Sequence, residues 1–191
     1  MTAELLPFVF TSGWASGVNA YATVLLLGLL GRFAGVDAVP AGLERTDVLV
    51  VAALLYAAEF VTDKIPYVDS TWDAVHTAIR PTVGAVIALL AAGETDSLET
   101  AVLTATGGVT ALLSHLVKAG LRIAVNTSPE PASNIVVSAG EDFSVAAVIA
   151  LVVAAPWVAA AVALVLLLTG GTLVWLLAGR IGRALRRRRT P

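Results

Sequence analysis

EFVTDKIPYVDSTWDAVHTAIRP, residues Glu59 to Pro81, decides how the chain is read. It gathers Glu59, Asp63, Lys64, Asp69, Asp73, His76 and Arg80 in one short stretch, with apolar segments of membrane length on both sides. Charge within or beside a bilayer is costly and is kept where it has a task. The surrounding composition fits a bilayer: 58% of the residues are hydrophobic and 14% charged, against roughly 25% charged in a soluble domain. The mean hydropathy of +0.87 agrees. Apolar runs of about 20 residues read as spans, not as core helices. A net charge of -2 supplies no basic field for nucleic acid. With no cysteine, the chain has neither disulfides nor thiolate metal sites. MTAELLPF lacks the basic segment of a signal peptide, so the first apolar segment is expected to stay.

Working outward, a span from about Asp47 to Thr62 leads into the polar stretch, with Glu59 and Asp63 one turn apart on one face. Pro66 is expected to end that helix. The next span opens near Ser70, an N-cap candidate with Asp73 as its reciprocal acid, and runs to Gly93. On it Asp69, Asp73, His76 and Arg80, spaced four, three and four, form one stripe. A fourth span from about Leu98 to Ala124 carries His115, Lys118 and Arg122 on a second stripe. The segment Asn126–Asn134, with two prolines, reads as a turn rich in hydrogen-bonding groups. A fifth span from about Ala132 to Ala155 brings Asn134, Ser138, Glu141 and Asp142, and a sixth runs from Val158 to about Leu177.

The first apolar stretch, Leu5 to Phe33, is uneven. Pro7 and the Gly13/Gly17 pair could break it near its start, making a re-entrant segment. The GxxxG spacing of Gly13 and Gly17 favours instead a close helix–helix approach within a full span. The fold class is therefore all-α: a polytopic membrane bundle of about six helices, the first either a full span or broken and re-entrant. Residues 1–183 form one transmembrane domain, and 184–191 a basic tail. The arginines of that tail put the C-terminus in the cytoplasm of a cytoplasmic-membrane protein, and six spans put the N-terminus there too. Only Arg32 and Arg45 in the first loop vote against this, and a re-entrant first stretch is expected to remove that vote.

Both polar turns then lie at one depth. Asp63, Asp73, His76, Arg80, His115, Lys118, Arg122, Asn134 and Asp142 are the expected binding residues, with Asp73 or Asp142 facing Arg80 or Arg122 across the helices. The plainest use of such groups is pairing that holds the bundle together. The alternative is a cytoplasm-facing site for a small polar or anionic solute or a lipid headgroup, since Arg offers bidentate donors. A metal site or a membrane enzyme is the weakest reading. No HExxH, P-loop, GxSxG or GxGxxG is present, so no cofactor, metal ligand or catalytic residue is assigned. The expected partners are membrane lipids and a small solute, not nucleic acid, with a homo-oligomer left open.

The strings SGWASGVNAYATVLLLGLLGR, EFVTDKIPYVDSTWDAVHTAIRP and HLVKAGLRIAVNTSPEPASNIVVSAGED resemble, in this order over about residues 10 to 155, a bacterial membrane family known as domain of unknown function 4126. The resemblance implies an integral membrane protein with these polar strings as its signature, and no activity.

Overall fold

The computed structural model describes residues 2–65, 67–126 and 131–187, and the side chains of residues 5–65, 67–126 and 132–180. Every regular element among them is helical: α1 (Thr2–Val18), α2 (Ala20–Ala34), α3 (Thr46–Thr62), α4 (Val68–Ala92), α5 (Ser97–Val125), α6 (Pro131–Ala154) and α7 (Pro156–Arg187), with one 3-10 turn at Ala41–Glu44. Helices α4 to α7 are long and apolar enough to cross a membrane. At 17 residues α3 is about 25 Å long by its rise per residue, the short end of a span.

The first apolar stretch is not a span. It breaks at Asn19, whose extended backbone (φ -149°, ψ 101°) separates α1 from α2. The break falls after Gly13 and Gly17, and Pro7 sits inside α1 without interrupting it. Asparagine suits the position because its side-chain oxygen accepts the otherwise orphaned N–H of Ala22 at 2.9 Å, a standard N-cap bond. Residues along α1 and α5 rise together: a Cβ on Gly13 would lie 2.6 Å from Gly107 O, and Lys118 Nζ reaches Val18 O at 3.0 Å. At its other end α1 meets α2 again, since Leu5, Gly31 and Gly35 share one recess with Leu90 and Ala91. The pair is a re-entrant hairpin. About one turn before its tip at Asn19, Ser16 meets Arg80 midway along α4, about 18 Å from the start of that helix at 1.5 Å per residue.

The Gly13/Gly17 reading stands as close packing. Gly84 and Gly107 complete the crossing, because a Cβ on Gly84 would lie 2.8 Å from Gly107 O. Without side chains there, α1, α4 and α5 approach backbone to backbone, the use small residues have inside membranes. These three helices form the most extensively packed part of the bundle.

The hairpin changes the topology. The recess of Leu5, Gly31 and Leu90 marks the end of the bundle near the turn at Glu94. Trp157, at the start of α7, packs with Leu6 and Pro7 at that same end. Helix α7 then runs alongside α5, a Cβ on Gly120 meeting Val174. The start of α1 and the end of α7 therefore lie at opposite ends, not at the same end as six spans require. Arg32 and Arg45 remain near the Glu94 end: Arg32 donates to Thr46 Oγ1 at 2.7 Å and Arg45 pairs with Asp47 at 2.7 Å. A re-entrant first stretch thus leaves their vote in place. Helix α4 starts at Val68 after Tyr67, so Ser70 is no N-cap and Asp73 faces the bundle interior. The expected stop at Pro66, Pro129 of the Asn126–Asn134 turn and the arginine side chains beyond Arg180 lie outside the described residues, whereas Pro131, expected in that turn, opens α6.

Candidate functional site

An α-helix leaves its last four carbonyls without intrahelical partners, and α1 ends inside the bundle. Two side chains meet these carbonyls: Arg80 Nη1 donates to Gly17 O at 3.4 Å and Lys118 Nζ to Val18 O at 3.0 Å, while Ser114 Oγ adds a bond at 2.8 Å to Trp14 O just before them. Both donors at the end are cations, the sign that a helix C-terminus attracts. The N-terminus of α2 attracts the opposite sign. Asn19 Nδ2 donates to Asp142 Oδ1 at 3.2 Å, which places a carboxylate at that end. The break in the first stretch thus fixes where the charges of α4, α5 and α6 must lie.

From this tip the ion pairs extend toward the polar turns. Arg80 reaches Glu59 at 2.7 Å and Asp73 at 3.0 Å. Lys118 reaches Asp63 at 2.7 Å, with Glu141 at 3.5 Å and Glu59 at 3.6 Å. Arg122 holds Glu141 at 2.5 Å, Asp63 O at 2.8 Å and Asn134 Oδ1 at 2.8 Å, with Asp69 at 3.5 Å. Lys64 lies 4.0 Å from Asp142 and donates to Ser138 Oγ at 3.3 Å. Asn126 Nδ2 donates to Asp69 Oδ1 at 2.9 Å. Arg80 and Arg122 are fully buried at 0% exposure, so these contacts replace hydration. Losing one partner from such a pair leaves an uncompensated charge.

The histidines are locked by their neighbours. Arg80 has no acceptor and must donate at 2.8 Å, so His115 Nδ1 carries the lone pair. His115 Nε2 then carries the proton and donates to Thr77 Oγ1 at 3.0 Å. A second proton on His115 would set N–H against N–H. His76 Nδ1 donates to Trp72 O at 2.7 Å, leaving Nε2 to accept from Tyr21 OH at 2.9 Å, while the ring stacks on Trp72.

The structure brings the nine expected residues to one side of the hairpin tip, with two changes in pairing. Asp73 meets Arg80 on its own helix, not across helices. From α6 it is Glu141 that meets Arg122, while Asp142 goes to Asn19 and Lys64. The sequence reading left Glu59, Asp69 and Glu141 off the binding list, although each bonds a buried cation. It also missed Asn19 and Tyr21. The available signal was a lone Asn in an otherwise small and apolar run, the residue type that caps a helix. Among the described residues no three His, Asp or Glu side chains form a metal-binding group.

Among the described residues six inward carboxylates (Glu59, Asp63, Asp69, Asp73, Glu141, Asp142) face four cations (Lys64, Arg80, Lys118, Arg122). The orphaned polar atoms follow that imbalance. Glu59 Oε2, Asp63 Oδ1, both Asp73 oxygens and Asp142 Oδ2 lack a hydrogen-bond partner among the described residues, whereas Arg80 Nε is the one such atom on a cation.

Apolar helices around a buried ionic cluster, entered by a hairpin of 17- and 15-residue helices, define a multi-pass helical membrane protein. Within that class, the profile of the family described as Domain of unknown function (DUF4126) matches residues 6–177, and the chain belongs to that family. The chain matches no curated protein and no solved structure.

Proposed function

We propose that the protein binds a small polar solute at the hairpin tip and passes it across the cytoplasmic membrane, with its C-terminus in the cytoplasm. One observation carries this reading: two half-helix ends meet a buried ionic cluster within the bundle, the arrangement in which discontinuous helices build solute sites. Irregular backbone at that depth is tolerated only where protein or a cavity satisfies it, and here Arg80 and Lys118 do so through bonds that a solute could exchange. An anionic solute is the poorer fit, because each of the four cations already meets a carboxylate and would have to release it.

A second reading, a scaffold whose charges only pair internally, is favoured by the density of those same pairs. Transient currents from proteoliposomes on a solid-supported membrane separate the two. Ethanolamine, glycine, acetate and phosphate serve as probes, and at least one should evoke a saturable current that Asn19→Leu abolishes. No current from any probe leaves the scaffold reading standing.

A further inference from the structure

Asp73 is the buried carboxylate that the ionic cluster serves least. It is 3% exposed, and neither of its oxygens has a hydrogen-bond partner among the described residues. Arg80 Nη1 lies 3.0 Å from Oδ1 as an ion pair without hydrogen-bond geometry. Asp73 also lines a cleft of about 180 Å³ between α4 and α5, with Ser70, Ala74, Thr77, Ala119 and Ile123. The spacing of Ser70, Asp73 and Thr77 sets their three oxygen-bearing side chains on one face of α4. Ala119 and Ile123 of α5 form an apolar wall.

We infer that this cleft is a site for a primary ammonium group carried on a short alkyl stem. The inference rests on the proposed polar-solute function and names the solute's chemistry. The charge is set by the excess of carboxylates over cations and by the orphaned Asp73 oxygens. An ammonium offers three donors and no acceptor, matching acceptors that keep lone pairs. Ser70 Oγ accepts one bond, from Asn126 Nδ2 at 2.8 Å, and Thr77 Oγ1 accepts one, from His115. Four side-chain oxygens fall short of the six or more ligands a Ca²⁺ or Mg²⁺ ion collects. The volume selects for size, since sites for drug-sized ligands run from about 300 to 1,000 Å³. The apolar wall accommodates methylene groups, which a bare inorganic cation does not have.

Ser70 and Ile123 lie within the first and last turns of α4 and α5, at one end of two helices long enough to cross a membrane. The ammonium can therefore belong to a soluble amine or to an aminophospholipid headgroup, and one experiment distinguishes them. Full-length protein in phosphatidylcholine nanodiscs is titrated with radiolabelled ethylammonium by equilibrium dialysis. Saturable binding is expected, weakened at least tenfold by Asp73→Asn and by Ala119→Leu, which fills the cleft without touching a charge, and not displaced by acetate. Replacing part of the phosphatidylcholine with phosphatidylethanolamine identifies the source. Displacement of ethylammonium, with the aminolipid retained in native mass spectra, assigns a headgroup, and unchanged binding assigns a soluble amine. Either result supports the site. Parent-like affinity in Ala119→Leu, acetate competing as well as ethylammonium, or retention of neither amine overturns it. Failure here leaves the dependence of solute currents on Asn19 untouched, and absent currents leave ethylammonium binding at Asp73 untouched.

Discussion

Lys118 shows how much a single side chain carries: it pairs with Asp63, approaches Glu59 and Glu141, and closes the end of α1 through Val18 O. Lys118→Met should lower stability by about 3–5 kcal/mol, the range for leaving a buried charge uncompensated. The double variant Lys118→Met/Asp63→Leu should recover much of that loss. Reversible unfolding in detergent measures both, and a double variant no more stable than the single one contradicts the pairing. Asn19 tests a different bond. Asn19→Leu removes the cap on Ala22 N and the contact to Asp142, for a loss of about 1–2 kcal/mol from the cap alone. Asn19→Asp keeps a capping oxygen but sets a second carboxylate beside Asp142, so it should also destabilise. A neutral Asn19→Asp would mean that the cap alone matters. At this scale the sequence was most informative on the stripes, because helical spacing alone puts Asp73 with Arg80 and His115 with Lys118 on one face. Its pairing of Asp73 or Asp142 with an arginine across helices did not hold, since Glu141 and Asp142 are adjacent and only the rotation of α6 decides which meets Arg122.

Among the elements, α4 and α5 were legible with their polar halves, and the hairpin was not. Its two arms carry the same apolar residues as one continuous span, and the break needs only one residue outside the helical region, whose carbonyl partners lie on other helices. The glycine crossing can be tested directly. Gly17→Val should destabilise the protein by about 1–3 kcal/mol, as overpacking does, because a side chain there runs into Ala111 O and Ser114 of α5. Gly140→Ala in α6, where a Cβ meets nothing within 4 Å, should be neutral or stabilise by about 0.5–1 kcal/mol. Equal losses from the two would show that the hairpin does not approach α5 through its glycines.

For the whole molecule, counting α3 as a crossing beside α4 to α7 gives an odd number once the first stretch is a hairpin. With no native cysteine, introduced cysteines map this cleanly: Asp37→Cys and Glu94→Cys should be labelled from one side of the membrane and Ile65→Cys from the other. A tag before α1 should share the side of Glu94, opposite a C-terminal tag. Labelling of Asp37 and Ile65 from the same side would restore an even count. The ribosome meets the hairpin under a further constraint. Val18 is made first, yet its carbonyl waits for Lys118, a separation of 100 residues. At synthesis rates of about 5–20 residues per second, that delay is roughly 5–20 s. Throughout it the end of α1 lacks the donors that let irregular backbone sit at membrane depth. The hairpin is therefore seated only once α5 has been made, and biogenesis has to hold it at the interface or inside the insertion machinery until then.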